Sequence, residues 1–161
     1  MNAEYDRSAL PVDGREGLVL FFTVGGQTFG IRLTDVNHIQ PFVRGEGDER
    51  GRNAIMVEAV TAGGEKVPAI DLAGFLGIAV SEKGDDCILI LFREGKERFG
   101  LLADEVQTIV RGQQVREMAW PKLLGEEGAR VFGGFFSRDD RLILALNPDY
   151  IWILAAPAKK I

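Results

Sequence analysis

Apolar residues along the chain come in short blocks, each closed by glycines or by charged turn residues. Leu18–Val24 (LVLFFTV) has the aromatic and branched composition of a buried strand and stops at Gly25-Gly26. A glycine pair takes the positive φ of a tight hairpin turn, so the chain is expected to return through Thr28–Ile31. Asn53–Ala62 and Glu65–Asp71 flank Gly63-Gly64 in the same way. A third hairpin is read from Cys87–Phe92, a turn at Glu94-Gly95-Lys96 and Arg98–Ala103. A fourth runs from Val131–Ser137 through Arg138-Asp139-Asp140 to Leu142–Leu146. Pro68 has no amide proton and is expected at a sheet edge or a bulge. Helical signals are short: one turn at Leu72–Leu76, and a terminal one at Pro148–Ile153 with Pro148 in a first helical position. Arg44–Arg52 (RGEGDERGR), with three glycines and both signs of charge, reads as a mobile exposed loop. Residues 1–17 read as a flexible N-terminus.

The pattern repeats itself. Phe29-Gly30-Ile31, four residues and Val36-x-x-Ile39 return at one constant offset as Phe99-Gly100-Leu101, four residues and Val106-x-x-Ile109. The Gly63-Gly64 hairpin with its return to Ala69-Ile70-Asp71 is echoed by the Asp139-Asp140 hairpin with its return to Ala145-Leu146-Asn147. Two echoes in the same order predict two similar units of about five strands, one mainly 18–80 and the other mainly 87–145. Each unit is too small for a large core of its own, so the two are expected to pack on each other as small barrels. Barrel closure also removes the free strand edges that invite aggregation.

Composition narrows what such a scaffold does. The 161 residues are 46% hydrophobic and 27% charged, an ordinary balance for a single globular domain. The net charge of −5 argues against binding nucleic acid, which is driven by basic groups neutralising phosphates, and against an anionic membrane surface. The amino-terminal MNAEYDRSAL lacks the basic-then-apolar order of a signal peptide. Apolar runs such as Cys87–Phe92 fall far below the ~18–20 residues of a membrane-spanning helix, so a cytoplasmic location and no membrane insertion are expected.

Candidate chemistry is sparse. No glycine pair continues into the Lys-Ser/Thr of a phosphate-binding loop, and no G-x-S-x-G elbow occurs. His38, the single histidine, stands in the strand-like segment Val36–Ile39 and reads as a surface or interface residue rather than a general base. Cys87, the single cysteine, reads as a small buried hydrophobe. Turn chemistry accounts for Asp85-Asp86 and Asp139-Asp140 better than a metal does. No catalytic residue, metal site or cofactor is assigned. The repeated Val-x-x-Ile segments remain, with an interface expected at one or more residues of each, because an apolar side chain on an outer face marks a docking surface.

Four segments in order resemble the CheW-like domain family. Leu20–Val24, its glycine turn, Phe29-Gly30-Ile31 and Val36-x-x-Ile39 resemble the family's opening. Val67–Leu72 (VPAIDL) resembles its V-P-V-I-D-L strand, and Phe99–Val106 its R-x-G-L-x-V-D-x-V segment. Phe132-Gly133-Gly134 through Asp140–Leu144 resembles its closing hairpin. The resemblance covers about 18–153 and implies one all-β domain over 1–161, built from two five-stranded SH3-like barrels with short helical turns.

It further implies a stand-alone, non-catalytic adaptor. Its partners would be the regulatory domain of a CheA-type histidine kinase and the cytoplasmic tip of a methyl-accepting chemoreceptor. Val36, His38, Ile39, Val106 and Ile109 would then belong to a receptor-facing groove, with Gly63 and Gly64 near the kinase. The alternative is a diverged interaction or small-ligand-binding module outside chemotaxis. Three departures stand out: His38 replaces the family's usual glutamate, Gly63 falls where its arginine stands, and the charged loop 44–52 replaces a proline-containing segment. Histidine at that place, with a reference pKa of ~6.5, would make partner binding sensitive to pH.

Overall fold

The four expected strand pairs form, and the three whose turns are described turn where expected. A computed structural model describes residues 17–51, 54–79, 84–94, 97–111 and 114–155. The expected N-terminal segment, up to residue 16, and the turn at 95–96 lie outside the described residues. Strands β1 (Leu18–Val24) and β2 (Gln27–Arg32) pair antiparallel around Gly25 and Gly26, whose φ angles are 58° and 84°. Strands β4 (Met56–Val60) and β5 (Lys66–Asp71) pair likewise. So do β6 (Ile88–Glu94) with β7 (Glu97–Ala103), and β10 (Phe132–Arg138) with β11 (Arg141–Leu146). The connecting strands are β3 (His38–Pro41), β8 (Glu105–Arg111) and β9 (Arg116–Met118). Helix α1 (Leu72–Leu76) starts where the Asp71 carboxylate accepts from the Ala73 amide at 3.2 Å, and it ends at left-handed Gly77. Helix α3 (Pro148–Ala155) outlasts its expected end by two residues. A further helix, α2 (Glu126–Val131), was not expected.

Two sheets result, ordered β8-β1-β2-β11-β10-β9 and β3-β6-β7-β5-β4. They do not divide the chain into 18–80 and 87–145. Instead, β2 lies parallel to β11 (Ala145 opposite Gly30), and β5 lies parallel to β7 (Ala69 opposite Gly100). The echoed segments therefore pair across the repeat, each unit lending strands to the other's sheet. The first sheet has six strands rather than five because β9 forms separately on β10. The second sheet closes through the chain beyond β3. Val60 donates to the Val43 carbonyl and Gly45 to the Glu58 carbonyl, each at 2.9 Å, and Arg44 bridges Ala59.

Alternation along each strand fills three apolar clusters. Leu20 and Phe22 of β1 and Ile90 and Phe92 of β6 enter a large core shared between the sheets. Phe21 instead joins Phe136 inside the first barrel, and Leu89 and Leu91 join Val57 and Val67 inside the second. The strands at the sheet centres are thus buried on both faces, which is why they read as continuous apolar blocks. Cys87 is buried within the second barrel's cluster.

Two expectations are corrected. Pro68 sits at neither an edge nor a bulge: β5 lies between β7 and β4. The amide of its partner Glu58 donates to Asp48 and the Glu58 carbonyl accepts from Gly45, so both groups point away from β5. The ladder to β7 begins only at Ala69, so neither neighbour calls on the missing proline donor. The charged loop after β3 is also built rather than loose over its described residues 44–51. Arg44 forks onto Asp85 at 2.8 and 2.7 Å, while the nearly buried Asp48 carboxylate accepts from Arg50 and from the Glu58 amide. Those hydrogen bonds, that from Arg50 foremost, hold the Asp48 carboxyl well below the usual carboxylate range. No helix among the described residues is long and apolar enough to cross a membrane.

Candidate partner-binding site

Two crossovers carry the chain from one sheet to the other, and most of the candidate residues lie beside them. In the first, Leu33–Asp35 makes a single 3-10 turn. The Val36 amide donates back to Leu33 at 3.0 Å, and the Asn37 amide donates to Leu91 at 2.7 Å, which seats β3 on β6. Burial pushes the Asp35 carboxyl up, Arg32 opposes the shift and Asp149 adds to it. In the second crossover the Asp104 amide donates to Thr23 and its carboxylate accepts from the Gly25 amide at 2.7 Å. Asp104 thus ties the crossover to the β1–β2 turn. Among the described residues no three His, Cys, Asp or Glu side chains are grouped as metal ligands.

Register decides which way the candidates face. Residues directly opposite in an antiparallel ladder share a face of the sheet. Ile39 lies opposite Ile90, Val106 opposite Phe22 and Ile109 opposite Leu20, and all three partners belong to the shared core. Ile39 therefore lies half-buried on one rim of the seam between the barrels. Val106 and Ile109 lie on another, along the edge strand β8, with 37% and 46% of their surface in solvent. Val36 departs from its echo: it is 3% exposed and part of the shared core, so its side chain is withdrawn from the candidate surface.

His38 is exposed at the start of β3, opposite Leu91. Gly63 and Gly64 form the exposed tip of the β4–β5 hairpin. Two residues that the sequence did not single out connect these places. Gln40 donates to the Val60 carbonyl at 3.0 Å and accepts from the Ala62 amide at 2.9 Å, pinning β3 to the hairpin base. Arg98 pairs with Glu65, next to Gly64, and reaches Asn37, next to His38, at 3.4 Å. The first-unit candidates are thus gathered on the second barrel, while Val106 and Ile109 belong to the edge of the other.

A family model for the CheW-like domain matches residues 18–153, all of the paired strands and most of α3. The chain belongs to the CheW-like family. That family consists of non-catalytic scaffolds and adaptors of chemotaxis. Among solved structures, the chain is similar to the scaffolding protein TtCheW from Thermoanaerobacter tengcongensis. The TM-score is 0.63 at 18% identity, over 81% of this chain and 88% of that one. At that identity the likeness establishes a shared fold, two packed barrel-like sheets with few helices. No curated protein matches the chain. Within the CheW-like plan, the apolar rim at Val106 and Ile109 and the hairpin tip at Gly63-Gly64 are surfaces that the fold leaves open.

Proposed function

We propose that this protein is a cytoplasmic, non-catalytic adaptor that couples a CheA-type histidine kinase to chemoreceptors. The observation that carries the reading is the exposure of Val106 and Ile109 on an edge strand whose neighbours fill the core. Two branched apolar side chains kept in water on the face of a buried seam gain most by being covered with a partner's apolar surface. In this reading Val106 and Ile109 on one rim and Ile39 on the other meet the receptor tip, with His38 next to Ile39 on β3, and the Gly63-Gly64 hairpin meets the kinase regulatory domain. Membership of a scaffold family supports it. The mechanism is mass action: an adaptor that binds both proteins raises their local encounter, and it shifts the kinase between states only by binding one state better.

The test is calorimetric titration of the chain with each protein from the same organism. Both are expected to bind. Ile109→Glu is expected to weaken receptor binding by roughly tenfold or more while lowering the melting midpoint only slightly and leaving kinase binding unchanged, because the charge is fully desolvated only in the complex. Equal affinity of Ile109→Glu and the native chain for the receptor would remove the rim from the interface. Failure of the native chain to bind either protein would overturn the coupling role and favour a diverged interaction module.

A further inference from the structure

The end of the second barrel beside the β4–β5 hairpin holds two cations whose arrangement is not self-contained. The β6–β7 register sets Arg93 directly opposite Arg98, and like charges facing each other across a ladder repel. Both lie on the strand face that leads inward through Leu91 and Gly100 to the barrel interior, so they stand at its mouth. Arg98 is the more enclosed: its side chain is 23% exposed, and its Nε lies buried with no hydrogen-bond acceptor. Of its remaining donors, Nη1 meets Glu65, and Nη2 reaches the Asn37 amide oxygen only at 3.4 Å, beyond the usual range. A guanidinium is built for two parallel bonds to one carboxylate, and here it is left with an unsatisfied edge.

Its counter-ion is fixed at the backbone, where the Glu65 amide donates to the Thr61 hydroxyl at 3.1 Å and the Glu65 carbonyl accepts from the Thr61 amide at 2.8 Å, but its carboxylate is open to water. Glu65 is 51% exposed and follows Gly63 and Gly64 at the hairpin tip, where Gly64 takes a φ of 88°. A half-exposed ion pair is held weakly, because water and salt compete for both charges. The surroundings also matter: the chain carries a net charge of −5, and on this strand face two arginines stand together. An acidic partner is repelled by most of this protein and attracted at this place.

We propose that Arg98 and Arg93 form a receiving site for an acidic side chain of the kinase regulatory domain, and that Glu65 occupies the site until the partner displaces it. This rests on the adaptor reading above, which puts the kinase at the adjacent Gly63-Gly64 hairpin. When Glu65 gives way, the Arg98 guanidinium swings outward to a carboxylate that takes both bonds of one edge, and Nε gains the acceptor it lacks. Glu65 then acts as an internal competitor that lowers the resting affinity for the kinase.

The 161-residue chain is titrated with the regulatory domain of the CheA-type kinase from the same organism, at low and at moderate salt. Glu65→Ala is expected to bind roughly 3- to 10-fold more tightly than the native chain, and Arg98→Gln roughly tenfold or more weakly. In the Arg98→Gln background the gain from Glu65→Ala is expected to vanish, and the salt dependence to flatten. Arg98→Lys, which keeps the charge without the planar fork, is expected in between and serves if Arg98→Gln fails to fold. Unchanged or weaker binding by a folded Glu65→Ala, or native affinity in Arg98→Gln, would overturn the proposal and leave the adaptor role intact. A response confined to the receptor tip would overturn the kinase assignment. Absence of kinase binding by the native chain would instead remove the kinase half of the adaptor reading, and this site with it.

Discussion

Gly30 and Gly100 hold the same place in the two barrels, each opposite an alanine of a parallel neighbour, yet what surrounds them differs. A Cβ on Gly30 would meet the ring of Phe136 at 2.7 Å and that of Phe21 at 2.9 Å, and those rings pack edge to face. A Cβ on Gly100 would meet the terminal methyl of Leu89. Other equivalent positions diverge too. Val36 is buried where Val106 is exposed, and one turn of helix follows β5 where two follow β11. A duplicated strand plan therefore fixes backbone pairing but not filling. Once each unit lends strands to the other's sheet, the two copies of a position face different neighbours and are free to specialise, one inward for packing and one outward for docking.

The largest expected effect lies in the helices that follow the two equivalent strands. Trp152 of α3 is 4% exposed, stacks on Phe99 of β7 with ring centres 4.9 Å apart, and donates to Glu97 at 2.9 Å. It clamps the end of the first sheet onto the second barrel, whereas α1 sends the fully buried Leu72 and Ala73 into the shared core and its one aromatic, Phe75, is only half-buried. Trp152→Ala is expected to cost about 3–5 kcal/mol in urea unfolding, and Phe75→Ala distinctly less. Equal losses would mean that the two helices contribute alike to the shared core, whatever their length.

The glycine pair comes next. Gly30→Ala is expected to cost about 2–3 kcal/mol, because two packed rings must move, and Gly100→Ala about 1 kcal/mol, because a leucine methyl can rotate away. The same measurement, with m-values compared, checks both. Reversal of that order would place the tighter packing in the aliphatic barrel.

The four hairpins were legible because a hairpin is local: strand, turn residue and strand lie within one stretch, and Gly25-Gly26 or Asp139-Asp140 mark the turn. Strand exchange was not legible, because Phe29-Gly30-Ile31 and Phe99-Gly100-Leu101 read the same whether a unit pairs within itself or with its twin. Helix α2 escaped because its N-cap is Gly125 at a φ of 90°, with no side-chain cap to announce it. The rim was half legible: the echo singled out Val36, Ile39, Val106 and Ile109, but burial of one valine and exposure of the other depends on neighbours distant in sequence. Arg98 gave no signal, since an arginine at a strand start ordinarily points to water and only the fold places it between Asn37 and Glu65.

The smallest effect is the sharpest comparison, since it concerns two turns at equivalent places. The β4–β5 turn places Gly64 at a φ of 88°, whereas the β10–β11 turn places Asp139 and Asp140 at 51° and 64°. A left-handed conformation crowds Cβ against the following carbonyl, costing an L-residue about 1–2 kcal/mol, although aspartate tolerates it better than most. Two-residue turns of this hand prefer glycine at their second position. Asp140→Gly is therefore expected to stabilise the protein by about 1 kcal/mol, less the entropy that glycine gains in the unfolded chain, and Gly64→Asp to destabilise it by a similar amount. The β4–β5 turn is the longer of the two, with Gly64 its one left-handed residue, so opposite signs in paired urea titrations would confirm that each turn depends on the left-handed residue before its return strand. No gain from Asp140→Gly would mean that the aspartate recovers its strain through hydrogen bonds of its own, and the second turn would then be tuned by its side chains rather than tolerated despite them.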